Sequence, residues 1–287
     1  MGTGYSKTGF STEGFEILFN NDAKWKKTRG LATKINSFIE DGFFHEYCEL
    51  NKRATVRGNE DTRNIFEDSH DGTIEFTEKL LAKALWNMKI LTLPDGKGCL
   101  RLLDYEFPLR ATGNDRGIGE VDLLGLTDGG ALTIVELKYL KEKPENQKRS
   151  PSPSDSPLFA LVEALRYSVF IKKNMKFIKE ELASKKSENE NDQRWVGEIK
   201  NNKSSIILMA NERWWQYWQN PPAKSTRNAM GEWENDFDLL LEAIWNKLGI
   251  RTECYAINDY SGKDLSWKEG NKPFLKSDPQ LRTCIFG

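Results

Sequence analysis

Residues 118–139, IGEVDLLGLTDGGALTIVELKY, constrain the fold of this chain more than any other stretch. Two apolar, β-branched runs flank a Gly-rich turn, the pattern of an antiparallel hairpin. Side chains alternate along a strand, so Glu120, Asp122 and Leu124 share one face of the first run, and Ile134, Glu136 and Lys138 share one face of the second. Register decides whether the two sets meet. A three-residue loop of Asp128, Gly129 and Gly130, with a glycine in the left-handed conformation, pairs Thr127 with Ala131. It thereby places Asp122 opposite Glu136 and Glu120 opposite Lys138. A two-residue loop would shift the pairing by one and set Asp122 against Val135, on the wrong face. The three-residue loop is the expectation.

Carboxylates facing each other across strands repel, and a divalent cation resolves the conflict. Oxygen ligands at this separation suit Mg²⁺ or Mn²⁺, ions that keep several waters and are commonly shared with a substrate phosphate. Lys138, two residues beyond Glu136, can then neutralise charge or orient an attacking water. A Glu-x-Lys strand also occurs as an ordinary solvated face. These charges, however, sit inside runs otherwise rich in Leu, Ile and Val.

Asp122 followed by Glu136-Leu137-Lys138, on a hairpin preceded by Gly119-Glu120-Val121, resembles the PD-(D/E)XK superfamily of metal-dependent nucleases. Many restriction and repair nucleases belong to it. Val121-Asp122 stands where the family name has proline-aspartate, and the proline carries no ligand. The resemblance covers residues 71 to 258. It implies a Mg²⁺ or Mn²⁺ held by Asp122, Glu136, the carbonyl of Leu137 and a first-helix carboxylate, with Glu78 as the matching position and Glu75 as second choice. It also implies that Glu163 and Tyr167, a Glu followed four residues later by Tyr, border the active site. Glu120 is placed either to bind a second ion or to pair with Lys138.

The remaining chain fits a soluble globular protein. Charged residues make up 30% and hydrophobic residues 38% of 287, with a formal net charge of −1. No global positive field advertises nucleic acid, although the local patch matters more than the total. Cysteines 48, 99, 254 and 284 are scattered and read as reduced thiols, which suggests a cytoplasmic protein. With only two histidines, His45 and His70, imidazole acid/base chemistry is poorly supplied. No run of ~18 apolar residues predicts a membrane span, and no secretory leader is recognisable.

Residues 1–70 read as an N-terminal extension or arm, in which Lys26, Lys27 and Arg29 are candidates to meet phosphates. An irregular cover packed on the core is the alternative. A helix is expected over IEFTEKLLAKALWNM, with Ile74, Glu78, Leu81 and Leu85 on one stripe and Glu75 beside Ala82 and Trp86. Glu78 thus faces the core, where an unpaired carboxylate is expensive; a first-turn glutamate favoured by the helix dipole is the other account. Cys99 to Arg110 reads as a strand. Residues 141–157 read as a mobile Pro/Ser-rich loop whose Lys141, Lys148 and Arg149 can close over a phosphate backbone, or as a simple linker.

A helix from Leu158 to Lys173 follows, with Pro157 at its start and Glu163 and Tyr167 on one face. Residues 183–203 read as an exposed insertion, and Ser205 to Ala210 as a buried strand. Trp214, Trp215, Tyr217 and Trp218 either stack on bases or cap a core. Trp233 to Leu248 is a further helix stopped by Gly249, Thr252 to Ile257 a last strand, and 259–287 a polar C-terminal tail.

The resulting order is helix, three strands, helix, strand, helix, strand. It is similar to the αβββαβ core of the resembled superfamily, an α/β, restriction-endonuclease-like mixed sheet flanked by helices. The expectation is a core over 71–258 that hydrolyses phosphodiester bonds, DNA being the default substrate. Tyr167 is then a nucleic-acid contact. A non-cleaving nucleic-acid binder or a structural module on the same fold is the rival. Double-strand cutting with one site per chain would favour a homodimer.

Overall fold

The computed structural model describes residues 36–37, 39, 75–109, 120–143, 151–153, 155–184, 190–201, 203–219, 233–268 and 272–284. Lys26, Lys27, Arg29, Lys148 and Arg149 lie outside them. The helix expected from Ile74, here α1, spans Glu78–Met88. Thr77 stops it short: its backbone is extended (φ −125°) and its Oγ1 accepts from Leu80 N, so it acts as N-cap. Glu75 therefore precedes the helix, and its expected place beside Ala82 and Trp86 is not realised. A short strand not expected from the sequence, β1 (Ile90–Thr92), comes next.

Three longer strands follow: β2 (Cys99–Pro108), β3 (Glu120–Thr127) and β4 (Leu132–Lys138). Helix α2 (Pro157–Lys173) starts where Ser156 Oγ accepts from Phe159 N, with proline in its first turn. Helices α3 (Met175–Ser184) and α4 (Glu190–Glu198) lead to β5 (Ser204–Asn211). Then come α5 (Glu212–Gln219), α6 (Trp233–Leu248) and β6 (Arg251–Ile257). Strands β7 (Leu265–Lys268) and β8 (Lys272–Leu275) form a separate hairpin, and β9 (Leu281–Thr283) returns to the main sheet.

The fold is mixed α/β. Its seven-stranded sheet runs β1-β2-β3-β4-β5-β6-β9, antiparallel from β1 to β4, parallel through β4, β5 and β6, and antiparallel again at β9. Parallel neighbours require crossovers, which the helices supply. Every residue of β4 is buried, because α2 covers one face of the sheet and α1 the other. The sheet also curls toward a barrel. The β1–β2 turn reaches the opposite edge, where Thr283 Oγ1 donates to Asp95 at 2.5 Å and Lys97 pairs with Glu253 at 2.9 Å.

Two stretches are more ordered than the sequence suggests. The expected insertion at 183–203 contains α4, with Val196 and Ile199 buried and Trp195 packed on the core. The expected tail contributes three strands. The tryptophans of α5 resolve in favour of the core: Trp214, Trp215 and Trp218 are all buried. Among the described residues, no helix is long and apolar enough to cross a membrane.

The β3–β4 hairpin has the three-residue loop. Leu126 pairs with Leu132, Leu124 with Ile134 and Leu123 with Val135, and Thr127 N donates to Ala131 O. Gly130 takes the left-handed conformation (φ +79°), and a Cβ there would sit 2.9 Å from the carbonyl oxygen of Glu198. Gly130→Val should therefore cost at least about 1–2 kcal/mol in denaturant unfolding. Gly129→Ala, whose Cβ would make only an ordinary 3.7 Å contact with Thr127 Oγ1, should change stability by less than about 0.5 kcal/mol. Equal effects at the two positions would refute this account of the turn.

Candidate functional site

Register pairs between β3 and β4 end at Leu123–Val135, and the next residue of β3 makes its contact through a side chain. Asp122 Oδ2 accepts from the main-chain N–H of Leu137 at 2.8 Å, pinning the carboxylate against β4. One residue to either side along β4 are Glu136 and Lys138, joined by a Nζ–Oε1 contact of 2.6 Å. Lys138 also reaches Glu163 of α2 at 3.3 Å and Asp155, just before that helix, at 4.0 Å. From the other side of the sheet, Glu78 at the start of α1 accepts from Tyr139 N at 2.9 Å. Carboxylates from four separate parts of the fold thus converge on a single buried ammonium.

Burial makes this arrangement electrostatically unsatisfied. Desolvation raises the Glu78 carboxyl to about 8, with Lys138 opposing and Asp122 reinforcing the shift. Asp122 is raised to about 6, again chiefly by burial, against the pull of Lys138 and the Leu137 N–H. Glu136 is pushed well above the usual carboxylate range by burial and by repulsion from Asp122 and Glu163. Burial works against the charge on Lys138, yet Glu136, Glu163, Glu78 and Asp122 outweigh it and hold the ammonium well above its ordinary value. One lysine cannot neutralise the set. Glu136 Oε2 is buried with no hydrogen-bond partner, an omission that ordinarily costs about 1–3 kcal/mol.

A cation suits this donor set, which is all oxygen and carries excess negative charge. The oxygens are not converged into a coordination shell, however. Among the described residues, no group of three His, Cys, Asp or Glu side chains is spaced to hold a metal ion. Lys138 holds one oxygen of Glu136, and main-chain N–H groups hold one each of Asp122 and Glu78.

The structure brings together Glu78, Asp122, Glu136, Lys138 and Glu163, with Leu137 between them. Tyr167, one turn beyond Glu163, is buried, and its hydroxyl is raised well above its ordinary value by burial and by Glu136. Glu75 does not join the cluster; it is exposed and ion-paired with Lys141, itself exposed. Glu120, at the exposed start of β3, exerts its charge on Lys79 of α1.

Three site residues escaped sequence reasoning. Asp155 falls in the expected mobile loop, although Asp-Ser-Pro ahead of an apolar helix marks a cap that draws the chain onto the core. Glu106 of β2 lies opposite Asp122, bracketed by the pairs Tyr105–Leu123 and Phe107–Val121. It has φ +43° and an ion pair with Lys79 at 2.7 Å, features that no local pattern announces. Asn211 is fully buried and grips the chain leaving β4: its amide accepts from Leu140 N at 2.8 Å and donates to Leu140 O at 2.9 Å. A surface concavity lined by Lys97, Arg251, Glu253, Cys254 and Cys284 lies at the β6–β9 edge and shares no residue with the cluster.

The raised carboxyls bind protons more tightly folded than unfolded, so they favour the native state at low pH. Their contribution is lost as pH rises from 4.5 to about 8 for Glu78 and from 3.8 to about 6 for Asp122. In EDTA, Glu78→Gln should therefore gain stability relative to wild type as pH rises through its window, and Asp122→Asn through the lower one. Denaturant titration at several pH values checks this, and a stability difference independent of pH would refute it. No protein-family model, curated protein or solved structure matches the chain, and the chemistry of the site rests on its own residues.

Proposed function

We propose that this protein is a metal-dependent nuclease that hydrolyses phosphodiester bonds in DNA, on a fold like that of the restriction endonucleases. The observation that carries the proposal is the convergence of Glu78, Asp122, Glu136 and Glu163 on buried Lys138, with Glu136 Oε2 unpartnered. The element order α1, β2–β4, α2, β5 supports it, since it is similar to the αβββαβ order of the PD-(D/E)XK superfamily, with α3 and α4 inserted before β5 and α5, α6 and β6 following it. The curl of the sheet and the β1, β7, β8 and β9 strands are additions to that plan.

Asp122, Glu136, the Leu137 carbonyl and Glu78 would hold Mg²⁺ or Mn²⁺, with Glu136 exchanging the Lys138 ammonium for the cation. When bound, the ion neutralises the carboxylates and stabilises charge growing on the scissile phosphate. Lys138, its ammonium held by Glu136 and Glu163, would stabilise charge growing on the phosphate or orient the attacking water. Glu163 and Asp155 keep the ammonium in place. Burial of β4 on both faces limits competing water and strengthens each of these interactions.

Purified protein with labelled duplex DNA, single-stranded DNA and RNA, in Mg²⁺, Mn²⁺ or EDTA, is the test. Cleavage should require the metal and fall at least about 100-fold in Asp122→Asn, Glu136→Gln and Lys138→Ala variants that remain folded. Wild type that neither cuts any substrate nor binds Mg²⁺ by calorimetry would overturn the assignment in favour of a binding or structural module.

A further inference from the structure

Two cysteines that are distant in sequence meet where the main sheet ends. Strand β9 pairs with β6 in antiparallel register, with Ile257 opposite Leu281, Ala256 opposite Arg282 and Tyr255 opposite Thr283. The register continues one residue further, because Cys284 N donates to Cys254 O at 2.9 Å. Cys254 and Cys284 are therefore directly opposed, and opposed side chains of an antiparallel pair leave from the same face of the sheet. Packing agrees with the register. Cys254 belongs to the core cluster that includes α2 and α6, and Cys284 packs against the same cluster.

This placement suits a bond between the two sulfurs. Opposed residues of an antiparallel pair hold their Cα atoms ~4.5–5.5 Å apart, within the ~4.4–6.8 Å that disulfides span. Both residues are free thiols, and both line the concavity at the β6–β9 edge, beside Asp238 and Leu241 of α6. Cys254 is buried and Cys284 half-buried, so a small reagent entering the concavity meets Cys284 first. Cys99, the remaining described cysteine, is opposed to Thr92 of β1 instead. Burial raises the Cys284 thiol to about 12 against the pull of Arg282, and pushes Cys254 well above its ordinary value. Exchange proceeds through the thiolate, so protonated thiols make it slow. Its equilibrium depends on whether the fold holds the two sulfurs at bonding geometry.

A bond here would fasten a lightly held element. Strand β9 is three residues long and ends the seven-stranded sheet. The loop closed by a Cys254–Cys284 bond carries β7, β8 and β9, and Asn87 Nδ2 of α1 ties that hairpin down by donating to Pro273 O at 2.7 Å. A cross-link across such a loop restricts the unfolded chain while the native register stays as it is.

We propose that Cys254 and Cys284 are an oxidisable pair, joined into a β6–β9 disulfide by exchange with a low-molecular-weight disulfide. The Cys284 thiolate attacks one sulfur of the reagent, whose S–S bond breaks, and one small thiolate leaves and takes up the proton that Cys284 gave. The Cys254 thiolate then attacks the Cys284 sulfur of the mixed disulfide, the second small thiolate leaves with the Cys254 proton, and the protein S–S bond forms. The cysteine pair is oxidised by two electrons, and the reagent is reduced to two thiols. No residue of the carboxylate cluster takes part, so the pairing stands apart from the nuclease assignment.

The full chain, equilibrated without air in glutathione buffers of graded oxidised-to-reduced ratio, quenched in acid, alkylated after unfolding and mapped by mass spectrometry, tests it. One cross-link, Cys254 to Cys284, should accumulate as the ratio rises. In urea that unfolds the chain, the equilibrium constant for that link should be at least about 10-fold smaller. By linkage, oxidised wild type should unfold at higher urea than reduced wild type, and dithiothreitol should reverse the shift. Cys284→Ser, at the half-buried position, should abolish both the link and the shift. Three results would overturn the proposal: Cys284 held as a glutathione adduct while Cys254 remains a thiol, a cross-link to Cys48 or Cys99 in its place, or equal constants for the folded and unfolded chain.

Discussion

The ammonium of Lys138 is the group on which the arrangement of this site depends. It lies at the end of a strand buried on both faces, where an isolated charge would be expelled or neutralised. It stays charged because Glu136, Glu163, Glu78 and Asp122 surround it. Those carboxylates in turn come from four elements, the β3–β4 hairpin and the helices α1 and α2 on either side of it in the chain. A single positive charge therefore holds together side chains whose mutual repulsion would otherwise drive them apart.

That balance is incomplete, and the imbalance has chemical meaning. More negative groups are gathered than one lysine can satisfy, and burial raises the proton affinity of Glu78 and Asp122. A divalent cation would replace bound protons and let the carboxylates ionise, which is the sense in which a metal suits the site. The scaffold supplies the precision. Asn211 grips the main chain of Leu140, Thr77 sets where α1 begins, and Ser156 sets where α2 begins. Thr77 and Ser156 adjoin Glu78 and Asp155, and the Leu140 held by Asn211 lies two residues beyond Lys138.

The formal net charge of −1 conceals an uneven distribution of charge. Negative groups collect at the ends of β3 and β4, while the C-terminal hairpin turns its lysines outward and its leucines toward α1. Both features rest on α1, whose first residue enters the carboxylate cluster and whose penultimate residue, Asn87, holds the hairpin. A change in the position of this helix would move the two together.

Local patterns in the sequence determined a good deal. Alternation and the Gly-rich turn specified the β3–β4 register, because a one-residue slip would turn Leu123 and Val135 to the wrong faces. Helical spacing placed Glu78 toward the core and Glu163 and Tyr167 on one face. Only the tertiary structure decided what meets Lys138 and what does not. Asp155 lies in a polar, Pro/Ser-rich stretch that resembles a linker, and its role follows from where Ser156 caps α2. Glu106 faces Asp122 through strand pairing across a bulge, and β9 joins the main sheet by pairing with β6, both non-local contacts that leave no periodicity in the chain. Glu75 was second choice to Glu78 as the first-helix carboxylate, and Thr77 excluded it by capping a helix that begins at Glu78. Sequence thus determined which faces are apolar and which charges lie on them, since those properties repeat every two or 3.6 residues. The meeting of charges from different elements depends on packing distances, which only the folded chain defines.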